Sequence, residues 1–154
     1  MAEPLLDGNP PDDAHTDTRL AAEPVIWLGT TGPDASPHHV PVWFCWRDPD
    51  VLIFSMPGTR ELRNLQRNPR VTLNLDSAAS GQDIVLAEGR AQIGAGAAVE
   101  EMVRLFAGKY AAMLGGDTSL QQWRSTFSVP VLVAVSRIVA WTRQNGQLCY
   151  RSVP

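Results

Sequence analysis

The chain is poor in the residues that usually announce a chemistry. Of its 13 basic residues only Lys109 is a lysine, so the positive charge is almost wholly arginine. This reads first as a bias of composition and second as arginines kept for binding anions. The net charge of -3 is small and gives no general reason to expect nucleic acid or an anionic membrane as partner. Two cysteines, Cys45 and Cys149, are too few for a disulfide framework and read as reduced and structural. Apolar runs such as 129–135 fall far short of the roughly 20 residues that cross a bilayer. Residues 1–13 carry neither a basic start nor an apolar stretch, so no secretory signal is read there and a cytoplasmic location is expected.

Histidine is also scarce. His38 and His39 are adjacent and point to opposite faces of a strand, while His15 lies far from both. No metal site follows from that spacing. Nucleophile-elbow, Walker and dinucleotide-binding glycine motifs are absent, so no catalytic residue is assigned.

What is present fits one domain of ordinary size, 154 residues with 44% hydrophobic content. Residues 1–17 hold Pro4, Gly8, Pro10 and Pro11 with the acids Glu3, Asp7, Asp12 and Asp13, and read as a flexible tail before a domain at 18–154. Three strands are expected over 25–30, 37–46 and 51–55, separated by Gly32-Pro33-Asp34 and Asp48-Pro49-Asp50. In the second, Val40, Val42, Phe44 and Trp46 share one phase and Cys45 the other, which makes Cys45 a packed thiol. Pro57-Gly58 ends the third strand, Thr59 suits a helix N-cap, and Pro69 closes a helix over 60–68. On that helix Leu62 and Leu65 lie about 60° apart, with Arg60, Arg63 and Arg67 on roughly the opposite side.

A half-wet strand follows at 71–75, then a strand at 84–93 with a kink or bulge at Glu88-Gly89. Val99, Met102, Val103 and Phe106 mark an amphipathic helix, Gly115-Gly116 breaks it, and 120–127 reads as helical again. A long strand over 130–143 and a tight turn at Asn145-Gly146 open a last short strand. Strands do not alternate regularly with long helices, so a doubly wound parallel sheet is excluded. The expected class is mainly β: a small antiparallel barrel with peripheral helices.

Two features bear on chemistry. At residues 55–64 a strand ends, a Pro-Gly turn follows, and a helix starts with arginines in its first turns. Free N–H groups and guanidinium groups suit a phosphate there, although a solvated helix face has the same composition. Trp43, Phe44 and Trp46 crowd one strand, with Trp27 and Trp141 elsewhere. Aromatic walls suit a planar ring, and they also fill cores and interfaces.

The runs Pro37-His38-His39-Val40-Pro41-Val42-Trp43-Phe44, Val51-Leu52-Ile53-Phe54-Ser55 and Leu62-Arg63-Asn64-Leu65-Gln66-Arg67-Asn68-Pro69-Arg70-Val71 resemble the pyridoxamine-phosphate-oxidase-like split barrels. Ala87-Glu88-Gly89-Arg90-Ala91 resembles the sixth-strand region of the same family. The likeness covers about 20–150 and is strongest to the actinobacterial branch regarded as probable F-420-dependent enzymes. It implies a six-stranded split barrel and a homodimer whose cofactor sites are lined by both subunits. It also implies hydride transfer from reduced F-420 to a small electron-poor molecule, with no nucleic acid and no membrane as partner. The contacts it implies are His38, Val40, Pro41, Val42 and Trp43 at the ring, and Ser55, Met56, Thr59, Arg60, Arg63 and Asn64 towards the phosphate. The C-terminal strand near Trp141 would approach the partner's site. Many F-420-binding relatives place a lysine or arginine three residues before the asparagine; this chain has Glu61 there, leaving Arg60 and Arg63 to supply the charge. The same fold also admits FMN in place of F-420, or a non-catalytic barrel that binds haem or a bilin.

Overall fold

The computed structural model describes residues 11–154 except Ser77, Ala95, Asn145, Gly146 and Pro154. The chain runs α1 (Pro11–Ala22), β1 (Ile26–Thr31), β2 (Pro37–Val42), β3 (Phe44–Arg47), β4 (Asp50–Ser55), α2 (Arg60–Arg67) and β5 (Arg70–Asn74). It continues through β6 (Asp83–Ile93), α3 (Ala97–Leu114), α4 (Asp117–Thr126), β7 (Val129–Gln144) and β8 (Gln147–Val153). The strand order is β2-β1-β5-β6-β7-β4-β3, with β8 added beside β7. The two ends of that order, β2 and β3, are consecutive in sequence and separated only by Trp43. The sheet therefore has to curl until its two edges meet at one residue, which makes a barrel. It is split where the chain leaves β1 and joins β4. The ring thus holds six strands when β2 and β3 are taken as the single strand expected over 37–46. β8 pairs with the far half of β7, from Ile138 to Gln144.

Side-chain alternation sorts this sheet between two cores. Phe44 and Trp46 of β3, Val51 and Ile53 of β4, and Val131, Val133 and Val135 of β7 point into the barrel. The intervening Cys45, Leu52 and Phe54 point outwards and meet Val99, Met102, Phe106 and Tyr110 of α3. The continuous apolar run 51–54 is thereby explained: both faces of β4 are covered. The bulge expected at Glu88-Gly89 is present as a register shift between those residues in the β6–β7 pairing. A Cβ on Gly89 would sit 2.5 Å from the Ala134 carbonyl oxygen, so backbone approach demands glycine there. The expected break at Gly115-Gly116 also holds, with Gly115 left-handed at φ 84°. The turn expected at Asn145-Gly146 lies outside the described residues.

One expectation needs correction. Residues 11–17, read as part of a flexible tail, belong to α1, and Asp13 and Thr16 are buried. The helix is held by polar contacts that leave no hydrophobic period. Arg19 donates to the Asp83 carboxylate at 2.9 Å and to the Asp76 carbonyl at 2.8 Å, and Trp46 Nε1 donates to Asp17 at 2.7 Å.

Between the cores lies an unusual amine. Lys109 Nζ is buried 3.9 Å from the centre of the Phe44 ring and has no hydrogen-bond partner among the described residues. Burial lowers its pKa from 10.5 to about 8, against the opposing pull of Cys45 and Glu23. Burial also pushes the Cys45 thiol up from 9.0 to about 11. For the lysine, the unfolded chain holds the proton more tightly, so stability rises with pH between about 8 and 10.5. For the thiol the folded chain holds it more tightly, so stability falls between 9 and about 11. Of these two groups, the lysine alone changes between pH 8 and 9. Denaturant melts are expected to show stability rising over that interval, and Lys109→Met is expected to remove the rise. A slope retained in the variant would show that the amine is not its source.

Candidate functional site

The β2–β3 break creates the site. At Trp43 the strand changes neighbours, and the backbone of Phe44 is held from outside by Tyr110 of α3. The Tyr110 hydroxyl accepts the Phe44 N–H at 2.9 Å and lies 2.7 Å from the Phe44 carbonyl oxygen and 2.8 Å from that of Pro24. Burial pushes this hydroxyl's pKa up, so it stays protonated as donor. Trp43 stacks on Tyr110 at 4.5 Å and on Trp123 of α4 at 5.0 Å; Trp123 stacks in turn on Phe127 at 4.5 Å. These rings turn Trp43 away from the barrel and leave a hollow between it and the end of β4.

That hollow is a cavity of about 350 Å³ lined by Val40, Pro41, Val42 and Trp43, by Phe54, Ser55, Met56 and Thr59, and by Glu61, Trp123 and Phe127. Seven of the expected contacts meet there: Val40, Pro41, Val42, Trp43, Ser55, Met56 and Thr59. The other four are placed differently. His38 is half-buried behind Glu61, with Nε2 3.8 Å from the Glu61 carboxylate. Arg60 and Arg63 are exposed on α2, donating to Ser36 Oγ at 3.2 Å and to the Gly58 carbonyl at 2.5 Å. Asn64 is buried and its amide donates to Thr30 Oγ1 at 3.0 Å, which ties α2 to β1 rather than facing the cavity.

Thr59 does occupy the N-cap position, with extended backbone, but its hydroxyl bonds Ser55 Oγ at 3.0 Å instead of capping the helix. Ser55 in turn donates to Glu61 at 2.7 Å. Glu61 is 8% exposed and is the one charged residue in the cavity lining, so the wall it forms is anionic. Phe54, Trp123 and Phe127 were not foreseen as site residues. Trp123 and Phe127 stand at i and i+4 on the last expected helix, a spacing that puts both on one face.

A sequence model of the pyridoxamine 5'-phosphate oxidase family matches residues 12–140. The chain belongs to that family. No curated protein matches it by sequence. Solved structures with this fold agree with the family's barrel. A conserved hypothetical protein from Mycobacterium tuberculosis is 22% identical, with 84% of this chain and 83% of that one covered at a TM-score of 0.68. An F420 reductase is 19% identical, with 77% and 92% covered and a TM-score of 0.58. An FAD-binding protein from Mesorhizobium loti is 21% identical, with 81% and 89% covered and a TM-score of 0.58. At these identities the likeness is one of fold. The resemblance read from the sequence implies a planar flavin-type cofactor. The apolar ring wall and the backbone of 40–43 fit a planar tricyclic ring. The cavity offers no cation to a phosphate, whereas Arg60 and Arg63 stand exposed on the adjoining first turn of α2. The residues therefore fit a cofactor whose ring is enclosed and whose phosphate stays at the mouth.

No helix among the described residues is long and apolar enough to cross a membrane, and no group of three or more metal-ligating side chains occurs among them.

Proposed function

We propose that this chain is an F-420-dependent oxidoreductase acting on a small electron-poor organic molecule. The observation that supports it most is the aromatic-walled cavity at the β2–β3 break, bounded by the end of β4 and by α4. The bound cofactor would supply a hydride from its ring. The protein's own part is to hold and desolvate that ring. Val40, Pro41 and Val42 present backbone and small apolar surface to one side. Trp43, Trp123 and Phe127 exclude water from the other. Thr59, Arg60 and Arg63 would meet the phosphate, and substrate would enter over the exposed Met56. A second copy of the chain would complete the site, its β7 approaching near Trp141.

FMN carries the same ring shape and a single phosphate, and is the second cofactor to test. Haem has less support: His38 Nε2 faces Glu61, and His38 is not part of the cavity lining.

The test is oxidation of reduced F-420, followed by absorbance, with a panel of activated alkenes, quinones and nitro compounds. Turnover with at least one class, absent in Trp43→Ala, is expected. No turnover with any class, together with reduction of the same compounds by an FMN-loaded preparation, would move the protein to flavin chemistry.

A further inference from the structure

A cavity larger than the aromatic one lies elsewhere on the barrel. A cleft of about 590 Å³ lies on the outer face of the barrel, crossing β1, β2, β5, β6 and β7. Two glycines hollow its floor. A Cβ on Gly29 would fall 2.2 Å from Thr72 Oγ1 and 2.5 Å from His39 Nε2, and Gly89 lies at the bulge of β6. The cleft is thus built by side chains that close over missing ones.

Its charge is unbalanced. Arg70 and Arg90 are direct partners in the antiparallel β5–β6 register, and both point outwards. Like charges placed opposite one another on paired strands repel. Neither guanidinium group has a hydrogen bond or ion pair with another described residue. The one carboxylate in the lining, Glu88, lies 3.7 Å from a third cation, Arg137. The cleft is therefore lined by two arginines and one acid that is itself paired with Arg137, in a chain whose net charge is -3. Two guanidinium forks on directly paired residues match the planar oxygens of a multivalent anion.

We infer that this cleft binds a small multivalent oxyanion, a phosphate ester or a di- or tricarboxylate, held between Arg70 and Arg90. The site is separate from the aromatic cavity and does not depend on the cofactor proposed for it.

The test is a titration of the full-length, isotope-labelled protein with inorganic phosphate and, separately, citrate, at an ionic strength fixed with sodium chloride. Saturable amide shifts at Arg70, Thr72 and Arg90 are expected. The Arg70→Gln/Arg90→Gln double variant is expected to lose at least about tenfold in affinity. Both side chains are exposed, so the variant should fold, and its thermal midpoint checks this. The anion should raise the wild-type midpoint and leave that of the variant unmoved. Saturation by phosphate alone would assign a phosphate ester, and by citrate alone a polycarboxylate. Shifts no larger than chloride produces, or affinity undiminished in the double variant, would overturn the inference. So would a sedimentation change in Arg70→Glu without anion binding, which would show the face covered by a second copy.

Discussion

Phe106→Ala is expected to lower stability by about 3–5 kcal/mol, the range for a buried aromatic truncated in a packed core. Phe106 is 1% exposed and meets Phe54 edge-on at 5.0 Å, Tyr110 at 4.5 Å and Trp123 at 5.4 Å. It is the ring on which the second core turns, and its loss would leave a void that the strand β4 cannot close. For a chain of this length the thermal midpoint should fall by roughly 10 °C. The neighbouring Leu105 is 46% exposed, and Leu105→Ala should stay within about 0.5 kcal/mol. The variant also reports on the site, because Phe54 and Trp123 line the cavity. Loosening them should weaken ring binding even where the variant remains folded. Equal losses at 105 and 106 would contradict the packing described for α3.

Charge at the mouth of the cavity gives the second large effect. Glu61 sits where an anionic cofactor must pass, held by Ser55 and facing His38. Glu61→Gln keeps an oxygen for the Ser55 hydroxyl and removes the charge. Affinity for F-420 should rise about tenfold, equivalent to about 1.4 kcal/mol. The Arg60→Ala/Arg63→Ala double variant should lose at least about tenfold while remaining folded, since both guanidinium groups are exposed. The two changes have opposite signs, which a general loss of structure would not produce. Affinity unchanged in both would place the phosphate away from α2.

Much of this was legible in the sequence, and the parts that were not have physical causes. Residues 40–46 show their phase because Val40, Val42, Phe44 and Trp46 face the barrel core while Trp43 and Cys45 face the second core. The strand 51–54 showed only as a continuous run because both its faces are covered. The helix that Gly115-Gly116 breaks shows its face at 99, 102 and 106, and Tyr110 continues that buried stripe past Gly108 and Lys109. The first helix shows no apolar stripe because its one buried hydrophobic residue, Leu20, sits beside the buried polar Asp13, Thr16 and Arg19. At the site, the wall from 40 to 43 and the end of β4 could be read from the family's motif. Asn64 could not: it belongs to the same motif, yet its amide is spent on Thr30 inside the fold. Trp123 and Phe127 come from an element remote in sequence, and only the folding of α4 over Trp43 brings them to the cavity.

A planar cofactor is expected to enter the cavity beside Trp43 and Trp123. The most direct measurement is a titration of the purified protein with F-420 and, separately, with FMN, following intrinsic tryptophan fluorescence. Saturable quenching by F-420 with weaker binding of FMN, and loss of that signal in Trp43→Phe/Trp123→Phe, is the predicted result. The absence of saturable quenching by either cofactor would contradict it and leave the cavity without the ligand assigned to it.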